Sequence, residues 1–374
     1  MNKIKNIFSS FLLVIFSTLL ALAFIEYVIG NNWLKNHHKV PDINTYQFYN
    51  KYYKELHHLR PFESWNYKNG LMFTYLEPED AKNNNSKVLI NGDSWAENLI
   101  NLGLGNGWNK IVVDELIKIK RKKDLSIIVS GTTSYSFSPT TVQLKILRRD
   151  FNIYPERIIT IIDHTDVGDE ICRYKDKLDI NEDGTLNKVN PEELYSSEVY
   201  NVGIYLTKVG IYLSDDFNII KYIKNKIFRR ELKIKKTTIR APRCTFPKIM
   251  SPVINGLTED DKNHLETVVF RYIEEVFSDK NVKKLVLVTH PHMKHFTGEY
   301  KFYFGDFLQD ILSNHKYRNQ ITIMDFRKEF YDVYFDGDNS ANYEDVFIIE
   351  DVASHINVKS RVPFTKRIFE KLFK

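Results

Sequence analysis

A doubly wound α/β domain, with five mainly parallel strands and helices on both faces, is the fold class this sequence predicts. Two observations carry that prediction. Five short apolar runs rich in β-branched residues, at 87–90, 125–130, 157–162, 284–289 and 321–325, are separated by stretches of helical periodicity. Nearly continuous apolar runs are what parallel strands covered on both faces require. The first run ends in Asn91-Gly92-Asp93-Ser94 and passes directly into helix-forming residues. That is how a buried strand reads when it delivers a side chain to the carboxyl edge of a sheet.

The intervening helices are expected at 111–122, 140–150, 262–277 and 303–313. Gly92 permits the tight strand-to-helix turn that lifts a hydroxyl into a cleft. Asp93 can cap the following helix, whose dipole favours negative charge developing near Ser94. Gly-Asp-Ser alone is common in turns, so its partners decide the matter. They stand near the C-terminus, in Glu350-Asp351-Val352-Ala353-Ser354-His355. A serine nucleophile needs a base to take its proton, and the base needs a carboxylate to fix its tautomer. Asp351 and His355, four residues apart, share one face in a helix or turn. The pair lies just beyond the last expected strand.

Together these pieces resemble the SGNH (GDSL-like) hydrolase and acyltransferase superfamily over residues 85–374, in a flavodoxin-like sheet with an insertion at about 175–260. Gly92-Asp93-Ser94 matches the first block, which implies Ser94 as nucleophile. Ser130-Gly131-Thr132-Thr133-Ser134 resembles the second block, so the oxyanion amides implied are those of Ser94 and of Gly131 or Ser134. Asp163-His164-Thr165-Asp166 falls where the third block usually has Gly-x-Asn-Asp; Thr165 replaces the asparagine donor and offers a shorter hydroxyl. In the last block His355 is the implied base and Asp351 the orienting carboxylate, with Glu350 a substitute. The family usually places aspartate two or three residues before histidine, whereas here it stands four before. Asp93, Asp166, His290 and His292 are the further candidates for substrate contact.

The N-terminus locates the chain. Lys3 and Lys5 precede an uncharged, mostly apolar run from Ile7 to Ile25, just long enough to cross a hydrocarbon core. The expectation is an uncleaved anchor over 1–30 in the bacterial cytoplasmic membrane, with the domain outside the cytoplasm. A cleaved signal peptide is the rival, because Ala21-Leu22-Ala23 resembles a small-x-small site. Residues 31–84, dense in aromatics, are expected as a membrane-proximal segment packing onto the main domain. Two cysteines, Cys172 and Cys244, either pair or remain free thiols.

Other features narrow the function. A net charge of +5 over 374 residues, without a nucleic-acid motif, excludes nucleic-acid binding. Aromatic content of 14 % fits either sugar-binding surfaces or the drift of an AT-rich genome. His290-Pro291-His292-x-x-His295 ends the fourth run; it has no Cys or acidic partner within the motif, so substrate contact or structural hydrogen bonding is expected there rather than a metal. Asp179 to Gly184 begins like a calcium loop, but Asn190 stands at the twelfth position, so a β-hairpin is the better reading. The basic run from Lys221 to Arg243 reads as a solvated face, with an acidic glycan or anionic lipid as its alternative partner.

The whole predicts a membrane-anchored serine esterase or O-acyltransferase acting on an acylated cell-envelope polysaccharide, with no metal or organic cofactor. The alternatives are a lipid or small-ester esterase, and a non-catalytic scaffold that binds glycan or partner proteins of polysaccharide assembly.

Overall fold

A computed structural model describes residues 2–28, 52, 55–56, 73–81, 86–99, 110–190, 244–349, 351 and 354–374. The chain divides into two units, one of Met1–Lys51 with Glu193–Ala241, the other of Tyr52–Glu192 with Pro242–Lys374. In the first unit the described residues form helix α1, Asn2–Ile25. The span Ser10–Val28 is apolar and long enough to cross a membrane or to act as a signal sequence.

In the second unit a sheet is built from β1 (Thr74–Tyr75), β2 (Ser86–Gly92), β3 (Leu125–Gly131), β4 (Arg157–Ile162), β7 (Lys284–Thr289) and β8 (Ile321–Asp325). A separate hairpin pairs β5 (Leu178–Ile180) with β6 (Leu186–Val189), as the Asp-Gly turn signal required. The sheet order is β1-β3-β2-β4-β7-β8. Five of these strands are mutually parallel, and their order places the first between the second and third, a flavodoxin-like arrangement. The expectation of five strands needs one addition. The two-residue β1 joins antiparallel to β3, pairing Thr74 with Val129, and is too short to leave a period-2 signal.

The helices of this unit are α2 (Ser94–Asn98), α3 (Lys110–Lys123), α4 (Phe137–Phe151), α5 (His164–Asp169), α6 (Phe246–Asn255), α7 (Glu259–Ser278), α8 (Met293–Phe296), α9 (Phe304–Ile311), α10 (Phe330–Tyr334) and α11 (Val358–Leu372). α7 shows how they form. Thr258 caps it by accepting from the Asp261 N–H, and Glu259, Asp260 and Asp261 suit the positive end of its dipole. Its inward face of Leu265, Val268, Val269, Tyr272, Ile273 and Val276 is buried at helical spacing. α11 buries Phe364, Ile368, Phe369 and Leu372 in the same way, against α3 and the sheet.

β2 lies at the switch point, where the chain goes first to β3 on one side and then to β4 on the other. Open α/β sheets bind ligands at such a point, and Ser94 stands there. A disulfide joins Cys172 to Cys244, with Cα atoms 5.7 Å apart, and ties the turn after α5 to the start of α6. This settles the choice between a pair and free thiols. The basic run at 221–243, Glu350 and most of 31–72 lie outside the described residues. Within that aromatic segment Tyr52, Leu56 and Phe73 are buried, and Leu56 bridges to Val189.

Candidate active site

Gly92 sets the nucleophile turn. Its φ is +128°, and a Cβ there would lie 2.0 Å from the Ile161 carbonyl oxygen. Only glycine fits both the dihedral and the space. The chain then enters α2 with Asp93 as its cap, accepting from the Trp95 N–H at 2.9 Å. Ser94 is the first residue of α2, at the end where the dipole favours negative charge. Gly131 serves by lacking a side chain, since a Cβ there would be 2.1 Å from the Glu97 nitrogen of α2. Glu97 accepts from the Thr133 N–H at 2.8 Å, which joins the nucleophile helix to the second block.

Ser94 Oγ lies 2.8 Å from His355 Nε2, and His355 Nδ1 lies 2.5 Å from Asp351 Oδ2. An ionised carboxylate only accepts, so Nδ1 carries the ring proton and Nε2 accepts from the serine hydroxyl. The pair is set by a turn, not a helix. Phe347 and Ile356 bridge antiparallel, the Ile348 N–H donates to the His355 carbonyl, and the Ser354 N–H donates to the Asp351 carbonyl. Ser354 takes φ +49°, which turns the chain back so that a four-residue spacing still brings the carboxylate to the ring. A non-glycine residue held left-handed costs about 1–3 kcal/mol and is concentrated at functional sites. Arg361 of α11 donates to the Asn98 carbonyl at 3.2 Å, clamping the last turn of the nucleophile helix to the segment that carries His355.

Trp95 is the residue sequence reasoning passed over. Its indole packs on His355 (ring centroids 5.6 Å apart) and on His290 (4.7 Å), and its Nε1–H donates to Asp163 Oδ2 at 2.9 Å. One side chain thus braces the base and the first and third blocks together. Its only signal was its position directly after the nucleophile.

The four residues expected to contact substrate are all buried. His290 is buried, with Nε2 on the Tyr334 hydroxyl and Nδ1 on the Pro291 carbonyl, each at 2.9 Å. Burial pushes its imidazole down to about 3. His292 is buried and caps α8, its Nδ1 accepting from the Lys294 N–H. Asp93 and Asp166 are also buried, and burial first, then neighbouring aspartate charge, holds both carboxyls well above the usual range.

Thr165 is engaged within its own turn. Its N–H and its hydroxyl both donate to Asp163 Oδ1, at 2.6 Å each. It is the second residue of α5, where the cap oxygen of Asp163 takes its only hydroxyl proton. Ser134, at φ +67°, stands on a left-handed corner whose carbonyl accepts from the Tyr174 hydroxyl. Among the described residues the Ser94 and Ser134 N–H groups form no hydrogen bond.

No family profile matches the chain, and neither does any curated protein. Among solved structures it is similar to a catalytic mutant of Axe2, an acetylxylan esterase from Geobacillus stearothermophilus, at 13 % identity and a TM-score of 0.36, covering 77 % of this chain and 93 % of that one. It is also similar to LAE5, an alpha/beta hydrolase enzyme from the metagenome of Lake Arreo, Spain, at 12 % identity and a TM-score of 0.35, covering 76 % and 95 %. The parallel strand order, with the serine after the first of those strands and the histidine after the last, is the arrangement the SGNH resemblance implies. The functional reading rests on this geometry.

Proposed function

We propose that the chain is a serine esterase or acyltransferase of the SGNH type, acting on an O-acyl ester of a cell-envelope polysaccharide. The observation that carries this is the continuous hydrogen-bond relay from Ser94 through His355 to Asp351. Ser94 Oγ attacks the ester carbonyl while His355 Nε2 takes its proton, and Asp351 stabilises the imidazolium. The oxyanion is held by the Ser94 and Ser134 amides. His355 then returns the proton to the departing alkoxide oxygen, leaving an acyl group on Ser94. Water, or a second sugar hydroxyl activated by the same histidine, accepts the acyl group.

Two features support the envelope setting. The apolar N-terminal helix suits an exported or anchored chain, and a disulfide persists in oxidising compartments. The commitment of Thr165 to Asp163 favours slow turnover over fast hydrolysis, since one oxyanion donor is worth about 10²–10³ in rate.

The test is covalent labelling of the full-length protein by a fluorophosphonate probe, together with hydrolysis of an aryl acetate. Labelling lost in Ser94→Ala is the expected result. An unlabelled wild type would leave the non-catalytic scaffold as the better reading.

A further inference from the structure

Behind the nucleophile turn three aspartates converge from two strand ends. Asp93 comes from the end of β2, and Asp163 and Asp166 from the first turn of α5. They are 0 %, 1 % and 1 % exposed, and one carboxylate oxygen from each lies within 4.8 Å of the others. Burying several carboxylates together is costly without a compensating positive charge. Among the described residues the one ion-pair contact these three make is between Asp163 Oδ2 and His164 Nδ1, at 4.0 Å.

His164 is the second, independent sign. It is 4 % exposed, neither ring nitrogen has a hydrogen-bond partner, and Nδ1 faces the Asp163 carboxylate. A buried imidazole ordinarily satisfies one donor and one acceptor. Asp166 Oδ1 is likewise buried and unpartnered. A buried imidazole without a hydrogen-bond partner thus stands 4.0 Å from one oxygen of the carboxylate cluster, and a second oxygen of that cluster is unpartnered.

We propose that Asp93, Asp163 and Asp166 bind one hard divalent cation, with His164 closing the site through a bound water. Carboxylate oxygens select calcium, magnesium or manganese over softer metals. Oxygens up to 4.8 Å apart suit an ion with ligand distances of about 2.3–2.6 Å, whereas magnesium at about 2.0–2.1 Å needs the cluster to contract. The carboxylates are held by existing bonds: Asp93 Oδ1 accepts from the Trp95 N–H, Asp163 Oδ1 from Thr165, Asp163 Oδ2 from the Trp95 Nε1–H and Asp166 Oδ2 from the Asp163 N–H, and the Ser94 hydroxyl lies 3.4 Å from Asp93 Oδ2. Those bonds fix the orientation of each carboxylate, as outer partners do around a metal. The cation ties the Asp93 turn, and with it Ser94, to the third-block helix. Its task is positional and independent of which ester the enzyme cleaves.

The test is elemental analysis by mass spectrometry of the full-length, detergent-solubilised protein, desalted into metal-free buffer. About one ion per chain is expected, with a Tm that falls on chelation and recovers when that ion is restored. Asp166→Asn should lose the ion, with its fold checked by circular dichroism. If that variant does not fold, the wild-type measurements decide. Wild type with less than about 0.1 ion per chain, and a Tm indifferent to chelator and to each added ion, overturns the proposal and leaves a proton shared by Asp93 and Asp166. An ion retained equally by folded Asp166→Asn also overturns it, because the ion then sits elsewhere.

Discussion

Ser94 Oγ and His355 Nε2 meet at 2.8 Å, although 261 residues separate them along the chain. The sheet makes the meeting possible: β2 ends at the switch point, and the chain returns past β8 to the same edge before α11 begins. His355→Ala should therefore reduce ester hydrolysis to the Ser94→Ala background, because members of one catalytic unit are not additive. Turnover of an aryl acetate by both variants and by the double variant measures this. A double variant clearly slower than either single one would count against a shared relay.

Asp351 holds the histidine through a single contact at Nδ1. Asp351→Asn places a donor opposite that nitrogen and favours the wrong tautomer, so kcat should fall by about 10³–10⁴. Asp351→Ala should retain more activity than His355→Ala, since water can hold the ring while nothing replaces the proton carrier. Comparable loss in the two alanine variants would make Asp351 indispensable.

Gly92→Ala should unfold the domain or destabilise it by several kcal/mol, roughly the cost of overpacking and left-handed strain combined. Its Cβ would meet the Ile161 carbonyl at 2.0 Å. Gly184 is the control: at φ +83° it faces open space, so Gly184→Ala should cost only about 1–2 kcal/mol. Denaturant midpoints of the two variants make the comparison.

Trp95→Phe keeps most of the packing on His355 and His290 but removes the Nε1–H donor to Asp163. An unsatisfied buried acceptor costs about 1–3 kcal/mol. The expected outcome is a lower Tm with the serine still labelled by the probe. Wild-type stability would show that water replaces the indole.

His290 gives a pH prediction whose sign is fixed by its burial. Its imidazole is neutral in the fold, pushed down to about 3, while the unfolded chain takes up the proton near the ordinary value of 6.5. The unfolded state then binds more protons, so this contribution to stability is complete above about 6.5 and is lost as pH falls toward 3. The raised Asp93 and Asp166 carboxyls act in the opposite sense. The informative measurement is therefore differential. His290→Gln, which can still accept from Tyr334, should lose less stability than wild type between pH 7 and 5.

The parallel strands were legible because each is an unbroken β-branched run, and α3, α4, α7 and α9 because their apolar faces repeat at helical spacing. The triad was legible because its two halves flank those strands. Spacing alone did not show how Asp351 reaches His355; that depends on the left-handed Ser354 and the Phe347–Ile356 bridge, which are properties of the loop backbone. The burial of His290 and His292 was not legible, for a different reason. The carboxyl end of β7 does face the site edge, but Trp95 and Tyr334 cover His290 and His164 packs on His292, and that packing comes from segments distant in sequence.

The Cys172–Cys244 bond makes the intervening stretch a covalent ring closed onto the domain, across a sequence separation of 72. A single peptide-bond cut anywhere inside that ring yields two polypeptides that remain one molecule. On a non-reducing gel such nicked protein migrates near full length, and with thiol it separates into an N-terminal piece carrying Ser94 and a C-terminal piece carrying Asp351 and His355. Nucleophile and base thus reside on separable chains held by one sulfur–sulfur link and by their packing in the sheet.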